Sequence, residues 1–313
     1  MVDGSISVNE KPIVSVLMIT YKQEQFIKQA IEGVLIQKTK FPIELIVAND
    51  CSPDNSDRII NDVLDSAPSH IAVNYIFRDV NMGVNLNFAD AIQKAKGKYI
   101  AVCEGDDYWT DPFKLQKQVD FLNKNKDCNL VYHRVMVYDE EAKVFSKETL
   151  NHEEIETKRT LETLTLSGNF MHTPSVVFRN NIDVQSKLFD GNVVGDYILW
   201  FLNGEKGLYG YLPEYMAVYR IWNGGIWSKK RRATTHFIFA NMLTRLSKHS
   251  NSAVISSNLR QQSIDTLLRI GFSEMSVKEK INFTYFILRY DKRPLRTLVK
   301  KISEKLNHLF RGD

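Results

Sequence analysis

Residues 14–37 read VSVLMITYKQEQFIKQAIEGVLIQ, and the fold is read outward from this stretch. Val14–Ile19 is a continuous apolar run but for Ser15, as expected of a strand covered on both faces of a parallel sheet. Phe26, Ile27, Ala30, Ile31, Val34 and Leu35 then recur at helical spacing. The unit repeats: Ile43–Ala48 (IELIVA) reads as a strand and Asp57–Leu64 as a helix. Ile71–Phe77 alternates apolar and polar before a helix at Asn85–Ala95, and Lys98–Cys103 (KYIAVC) is a fourth strand. Thr110-Asp111-Pro112 reads as a helix start, a capping side chain and then Pro at the first helical position. That helix would run through Leu115, Val119 and Leu122. Strands alternating with helices of this length predict a doubly wound α/β sheet.

Beyond a strand at Leu130–Tyr138 the rhythm changes, and the polar residues 139–160 predict a long loop. A helix near Leu161–Leu166, a short strand at Ser175–Phe178 and a helix through Ile198–Leu202 follow. Two short strands, Leu208–Leu212 and Tyr215–Ile221, come next, and from about residue 233 only helices are expected. The organisation predicted is a domain over 1–232, with halves near 12–138 and 139–232, and a helical extension over 233–313.

A hydrophobic fraction of 43% and a charged fraction of 25% are ordinary for a globular chain. No apolar run approaches the ~18 residues that would span a bilayer, and the polar Met1–Pro12 does not read as a secretory signal. Cys51, Cys103 and Cys128 show no metal-ligand spacing, which suits a reducing compartment. The net charge of +4 is uneven: residues 276–313 hold ten Lys/Arg against four Asp/Glu, a net +6, leaving about −2 for residues 1–275. That asymmetry argues against nucleic acid bound across the body and points the tail toward an anionic surface.

In an open α/β sheet the ligand lies beyond the carboxyl ends of the strands. Here the first strand runs into Thr20-Tyr21, the second into Asn49-Asp50-Cys51-Ser52 and the fourth into Glu104-Gly105-Asp106-Asp107. Three carboxylates within four residues repel one another unless a cation neutralises them, and oxygen ligands suit Mg²⁺ or Mn²⁺. The other reading is a solvated acidic turn. Tyr21 can stack on a pyrimidine and Asp50 can accept its ring N–H; equally, Tyr21 can be packing and Asp50 a turn former. The chain has neither Gly-x-Gly-x-x-Gly after its first strand nor a P-loop signature, which weighs against a dinucleotide oxidoreductase and a P-loop ATPase.

The run at 14–37, ELIVANDCSPDNS (44–56) and NMGVNLNFADAIQKAKGKYIAVCEGDDYW (81–109) together resemble the family 2 inverting glycosyltransferases of the GT-A fold. The likeness is strong over about 12–125 and weaker through GDYILW (195–200) and YRIWNGGIWS (219–228). It implies a Rossmann-like mixed sheet with a C-terminal helical extension, and transfer of a sugar from a nucleotide-sugar, a UDP-sugar by the lean of the motifs. By the same resemblance Tyr21 and Asp50 hold the uracil, and Asn81 and Asn85 line the donor side. Glu104 and Asp106 take the two places of the Asp-x-Asp motif, reaching ribose and metal, with Asp107 beside them as a further metal ligand. Asp196, in Gly195-Asp196-Tyr197, resembles the catalytic aspartate; its other reading is a helix N-cap, and Asp190 is the reserve.

The chain departs from the family at Lys22, Asn49 and Glu104, and at Trp222, where many relatives carry His. If that His touches the diphosphate or metal, the candidates to replace it are Arg220 or the cluster Lys229, Lys230, Arg231, Arg232, and the safer reading of the cluster is a solvated surface. Gly224-Gly225 between Trp222 and Trp227 reads as a mobile lid or as an ordinary turn. The acceptor implied is a saccharide or lipid-linked saccharide, as in bacterial surface polysaccharide assembly. A sugar-nucleotide pyrophosphorylase and a catalytically inactive binding or assembly subunit are the competing classes. In the tail, Leu295, Leu298, Val299, Ile302, Leu306, Leu309 and Phe310 recur at helical spacing with Lys and Arg between them, downstream of Phe283, Tyr285, Phe286, Ile287 and Leu288. This pattern predicts a cytoplasmic enzyme held at the inner face of a membrane through 276–313, or a tail that packs on the body or on a second copy in a homodimer.

Overall fold

The computed structural model describes residues 10–148, 157–184, 187–189, 195–225, 231–291, 293–299, 301 and 303. The chain divides into two compact units: Met1–Leu161 with Asn169–Gly191 and Gly195–Trp222, and Glu162–Gly168 with Asn192–Val194 and Asn223–Asp313.

The first unit is built on a mixed sheet. Strands β1 (Val14–Thr20), β2 (Ile43–Asn49), β3 (Ile71–Phe77) and β4 (Tyr99–Val102) are parallel, in the spatial order β3-β2-β1-β4. The sheet continues through β9 (Val177–Arg179), antiparallel to both its neighbours, then β6 (Cys128–Asp139), β10 (Leu208–Ile221) and the two-residue β5 (Tyr108–Trp109). All seven residues of β1 are buried, which explains why its sequence does not alternate. Val14, Val16 and Met18 join one core with Ile27, Ala30, Ile31 and Val34 of α1 (Ile27–Leu35), Ile60 of α2 (Ser56–Leu64) and Leu115, Val119 and Leu122 of α4 (Lys114–Lys124). Each large side chain fully buried there contributes about 1.5–3 kcal/mol. α3 (Val84–Gln93) packs on β1 and β2. A buried carboxylate of this framework, Glu44 on β2, accepts from Ser15 Oγ and from the Lys96 N–H, so its burial is compensated.

Three expectations are revised. The helix after Thr110-Asp111-Pro112 begins only at Lys114. Asp111 and Pro112 instead present their carbonyls to Gln37 Nε2 at 2.8 Å and to the Lys38 N–H at 2.7 Å, which holds them in a turn. The two strands expected at 208–221 are a single strand paired in parallel with β6, with register shifts between Leu212 and Tyr215 and between Tyr215 and Ala217. Irregular pairing there accommodates Pro213, which has no N–H to give the ladder. Within the expected loop 139–160, β7 (Val144–Lys147) folds back on β6 and β8 (Lys158–Arg159) pairs with β10. All four residues of β7 are exposed, so no apolar pattern marks it.

The second unit is helical among its described residues. It holds α5 (Leu161–Ser167) apart from its first residue, α7 (Arg232–His249), α8 (Ala253–Leu268) and α9 (Val277–Tyr290). α7 and α8 form a hairpin whose short joint ends on Ser252, the side chain of which accepts the Ile255 N–H. A reciprocal Ser276–Glu279 box starts α9. Phe283, Phe286 and Ile287, expected as part of an outer apolar patch, are instead buried against Ala240, Ile264 and Leu267. No helix among the described residues is long and apolar enough to cross a membrane.

Candidate active site

Parallel pairing brings the carboxyl ends of β1, β2 and β4 to one edge of the sheet. The pairing runs on past the strands, since the Asp50 N–H donates to Thr20 O and the Gly105 N–H to Ile19 O. Three loops of very different sequence are thereby held in register.

At the first, Tyr21 is exposed and Lys22 lies in the left-handed region at φ 59°. The Lys22 N–H donates to Ser52 Oγ, and its ammonium stands 5.1 Å from the Tyr21 ring centroid. At the second, Asp50 is buried and both its oxygens are engaged, Oδ1 by the Met82 N–H at 2.7 Å and Oδ2 by the Gly83 N–H at 2.8 Å. Asn81 Nδ2 donates to the Asp50 carbonyl. Asp50 thus ties the β3–α3 loop to the end of β2, and Gly83, at φ 83°, lets that loop turn into α3. Asn85, one residue into α3, donates to Phe189 O. Its Oδ1 would lie only 2.9 Å from a Cβ at Gly195, so α3 and the start of α6 (Gly195–Lys206) are in close approach.

The third loop carries the charge. Ligand oxygens of Glu104, Asp106 and Asp107 all lie within 4.8 Å of one another. Gly105 is required between them: a Cβ there would sit 2.5 Å from Gln23 Oε1 and 2.8 Å from Thr20 Oγ1. Burial first, then the neighbouring charges of Asp106 and Asp196, push the Glu104 carboxyl up to about 8. Burial likewise raises Asp106 and, well above the ordinary range, Asp107. Asp107 Oδ1 accepts the Arg220 N–H at 2.8 Å, whereas its buried Oδ2 has no hydrogen-bond partner. An orphaned carboxylate oxygen in an all-oxygen cluster fits a hard divalent cation, with Glu104, Asp106 and Asp107 the residues able to hold it.

Asp196 sits in the first turn of α6, its Oδ1 accepting the Tyr197 N–H, and burial raises its carboxyl. Its charge reaches both Glu104 and the Tyr219 phenol. Tyr219 on β10 is raised by burial and then by the charges of Asp107, Glu104, Asp106 and Asp196.

Arg220 does not meet the expectation of a free diphosphate ligand. Its Nε donates to the Asp106 carbonyl, one terminal nitrogen to Glu140 at 2.8 Å and the other to Gln29 at 2.7 Å. The guanidinium lies 4.5 Å from the Phe26 ring centroid and 5.2 Å from that of Tyr108. Its fork is spent inward, clamping the acidic loop. Arg231 and Arg232 are bonded to Glu274 O and Arg269 O within the second unit, while Lys229, Lys230, Trp227 and Asp190 lie outside the described residues. Trp222 stacks edge-on against Phe26 and donates its indole N–H to Asp106 Oδ2 at 2.8 Å. The Gln23 side chain lies beside the same loop, its Oε1 2.5 Å from where a Cβ at Gly105 would sit. Sequence reasoning overlooked Gln23 and Tyr219; the only available signal for the clamp was one Arg closing the aromatic, apolar run 215–219.

The model of the family described as "Glycosyl transferase family 2" matches residues 15–184. An uncharacterized protein of Mycobacterium tuberculosis is 38% identical over 216 residues, covering 68% of this chain and 60% of that protein, so the chain spans under two thirds of this curated relative's length. Among solved structures, residues 1–349 of Staphylococcus aureus TarS in complex with UDP-GlcNAc align with a TM-score of 0.63 at 16% identity, over 90% of this chain and 82% of that one. The Pyrobaculum calidifontis mannosyltransferase PcManGT in complex with GDP-Man and Mn²⁺ aligns at 0.59 and 13% identity, over 99% and 91%. The sheet order, the acidic loop at the end of β4 and the match over more than half the residues agree: the chain belongs to glycosyl transferase family 2.

Proposed function

We propose that the chain is an inverting glycosyltransferase that moves a sugar from a UDP-sugar to a hydroxyl of a saccharide or lipid-linked saccharide acceptor. The observation that carries this reading is the cluster of Glu104, Asp106 and Asp107 at the end of β4, whose charge Asp196 reaches, beside the loop held by Asp50. Tyr21 offers an exposed ring face on which the uracil stacks, and the Asp50 carboxylate retains acceptor capacity beyond its two backbone bonds. Glu104 faces the ribose. A divalent cation held by Asp106 and Asp107 would offset the charge that grows on the leaving diphosphate.

The displacement itself falls to Asp196. The acceptor oxygen forms its bond to the anomeric carbon as the carbon–oxygen bond to the diphosphate breaks, UDP leaving with that electron pair. The hydroxyl proton passes to the Asp196 carboxylate. A carboxyl raised by burial is the stronger base, and general-base help of this kind is worth ~10²–10⁴-fold. A second reading, a catalytically inactive binding subunit, rests on the Trp222 indole occupying Asp106 Oδ2. One experiment separates them: release of UDP or GDP from a panel of sugar nucleotides, with and without Mg²⁺ or Mn²⁺. Metal-dependent release of UDP from one UDP-sugar supports the transferase. Tight UDP binding with no release across the panel establishes the inactive subunit instead.

A further inference from the structure

On α9 the residues Val277, Ile281, Tyr285 and Leu288 recur at four- and three-residue spacing and all are exposed, from 53% to 73%. The opposite face of the same helix is buried through Phe283, Phe286 and Ile287. The helix is therefore apolar on two faces, and among the described residues only one of them is buried. Residues 294–299 are also helical and repeat the pattern. Leu298 packs on the core and Lys301 Nζ donates to Leu268 O, which anchors this segment to α8, while Leu295 and Val299 are 73% and 66% exposed. Lys278 and Arg289 on α9, Arg293 just before the second helical segment and Arg296 within it are exposed. An exposed apolar stripe edged with cations is the composition of a helix that lies in a membrane interface.

We propose that this outer face of α9 and 294–299 docks flat on an anionic lipid surface, with Ile281, Leu288, Leu295 and Val299 entering the acyl boundary and the cations meeting the headgroups. Charge decides the occupant. Residues 276–313 carry a net +6, so a second copy laid on this face would set like charge against like, whereas an anionic leaflet is attracted at every flanking Lys and Arg. The surface is independent of the sugar chemistry, because its test reads no turnover.

The test is co-sedimentation of the full chain with phosphatidylcholine vesicles, with and without phosphatidylglycerol. Pelleting is expected only with the anionic vesicles and falls as salt is raised. The double variant I281D/L288D loses roughly tenfold or more in partition. Both positions are exposed, so its thermal melt stays that of the parent chain. The variant K278E/R289E/R296E loses binding together with its salt dependence. Equal pelleting with neutral vesicles, no pelleting with anionic ones, or full binding by I281D/L288D overturns the proposal. So does a concentration-dependent dimer in sedimentation velocity that I281D/L288D abolishes, which would give the face to a second copy.

Discussion

Asp106 is held from two sides: its carbonyl by Arg220 and its Oδ2 by the Trp222 indole. A carboxylate fixed in this way presents its remaining lone pairs in one direction, which is what a metal ligand requires. Asp106→Ala should therefore weaken UDP binding in Mn²⁺ by at least about tenfold, or 1.4 kcal/mol, by calorimetry. The fold should survive, because the side chain is only half-buried. Unchanged affinity would remove Asp106 from the metal site. Asp196→Asn keeps the shape and the bond to the Tyr197 N–H yet cannot take a proton at neutral pH. Turnover should fall by ~10²–10⁴-fold with UDP affinity nearly unchanged. Because burial raises the Asp196 carboxyl, it protonates earlier on acidification than an ordinary aspartate near ~3.9. The acid limb of kcat/KM should lie above that range and disappear in the residual activity of the variant. Near-normal turnover in the variant would give the proton to another carboxylate.

At the scale of elements, α4 contains a cost that its sequence hides. Lys114 is fully buried, its ammonium donating to Gln118 and standing 4.0 Å from the Trp109 ring centroid. Burial pushes it down to about 7. The unfolded chain, with a lysine near ~10.4, binds more protons than the folded one between those values, so stability rises with pH across that window. The slope is up to about 1.4 kcal/mol per pH unit, and below pH 7 the gain is lost altogether. Lys114→Met should remove the slope and stabilise the chain by roughly 1–3 kcal/mol at pH 7, read from urea midpoints. A variant that keeps the slope would show the lysine charged and compensated. α4 itself was predicted from Leu115, Val119 and Leu122. Its start was not, because the turn that delays it is set by Gln37 and Lys38, far away in sequence.

Across the whole first unit, the parallel sheet gathers carboxylates from two separated parts of the chain, and their mutual repulsion becomes a property of stability. Glu104, raised to about 8, holds its proton in the folded chain at pH values where the unfolded chain has lost it. Stability without metal should therefore fall as pH rises from about 5 to 8, the opposite sign to Lys114. A cation that takes the place of the proton reverses the trend. Added Mn²⁺ should raise Tm more at pH 8 than at pH 5, by roughly 2–4 °C for each kcal/mol of differential binding. Glu104→Gln should flatten the metal-free profile. A Tm gain from Mn²⁺ that is the same at both pH values would place the ion away from this cluster.

The sequence by itself determined the parallel half of the sheet, because burial on both faces writes a mostly apolar run without strict alternation and leaves little else that 14–19, 43–48 and 98–103 can be. It also determined that acidic and aromatic residues follow β1, β2 and β4, since a strand's carboxyl end is visible wherever an apolar run stops. Local signals could not carry β7, whose four exposed residues have no pattern, nor the continuity of β10 past Pro213, which depends on its pairing with β6. Only the tertiary structure decided how each site residue is engaged. Asp50 turned out to tie down a loop some thirty residues ahead, Arg220 to grip Asp106 from across the sheet, and Trp222 to bond the carboxylate it overlies. Hydrogen bonds between groups 32 to 116 residues apart leave no mark on spacing or composition, because their partners become neighbours only once the strands have paired.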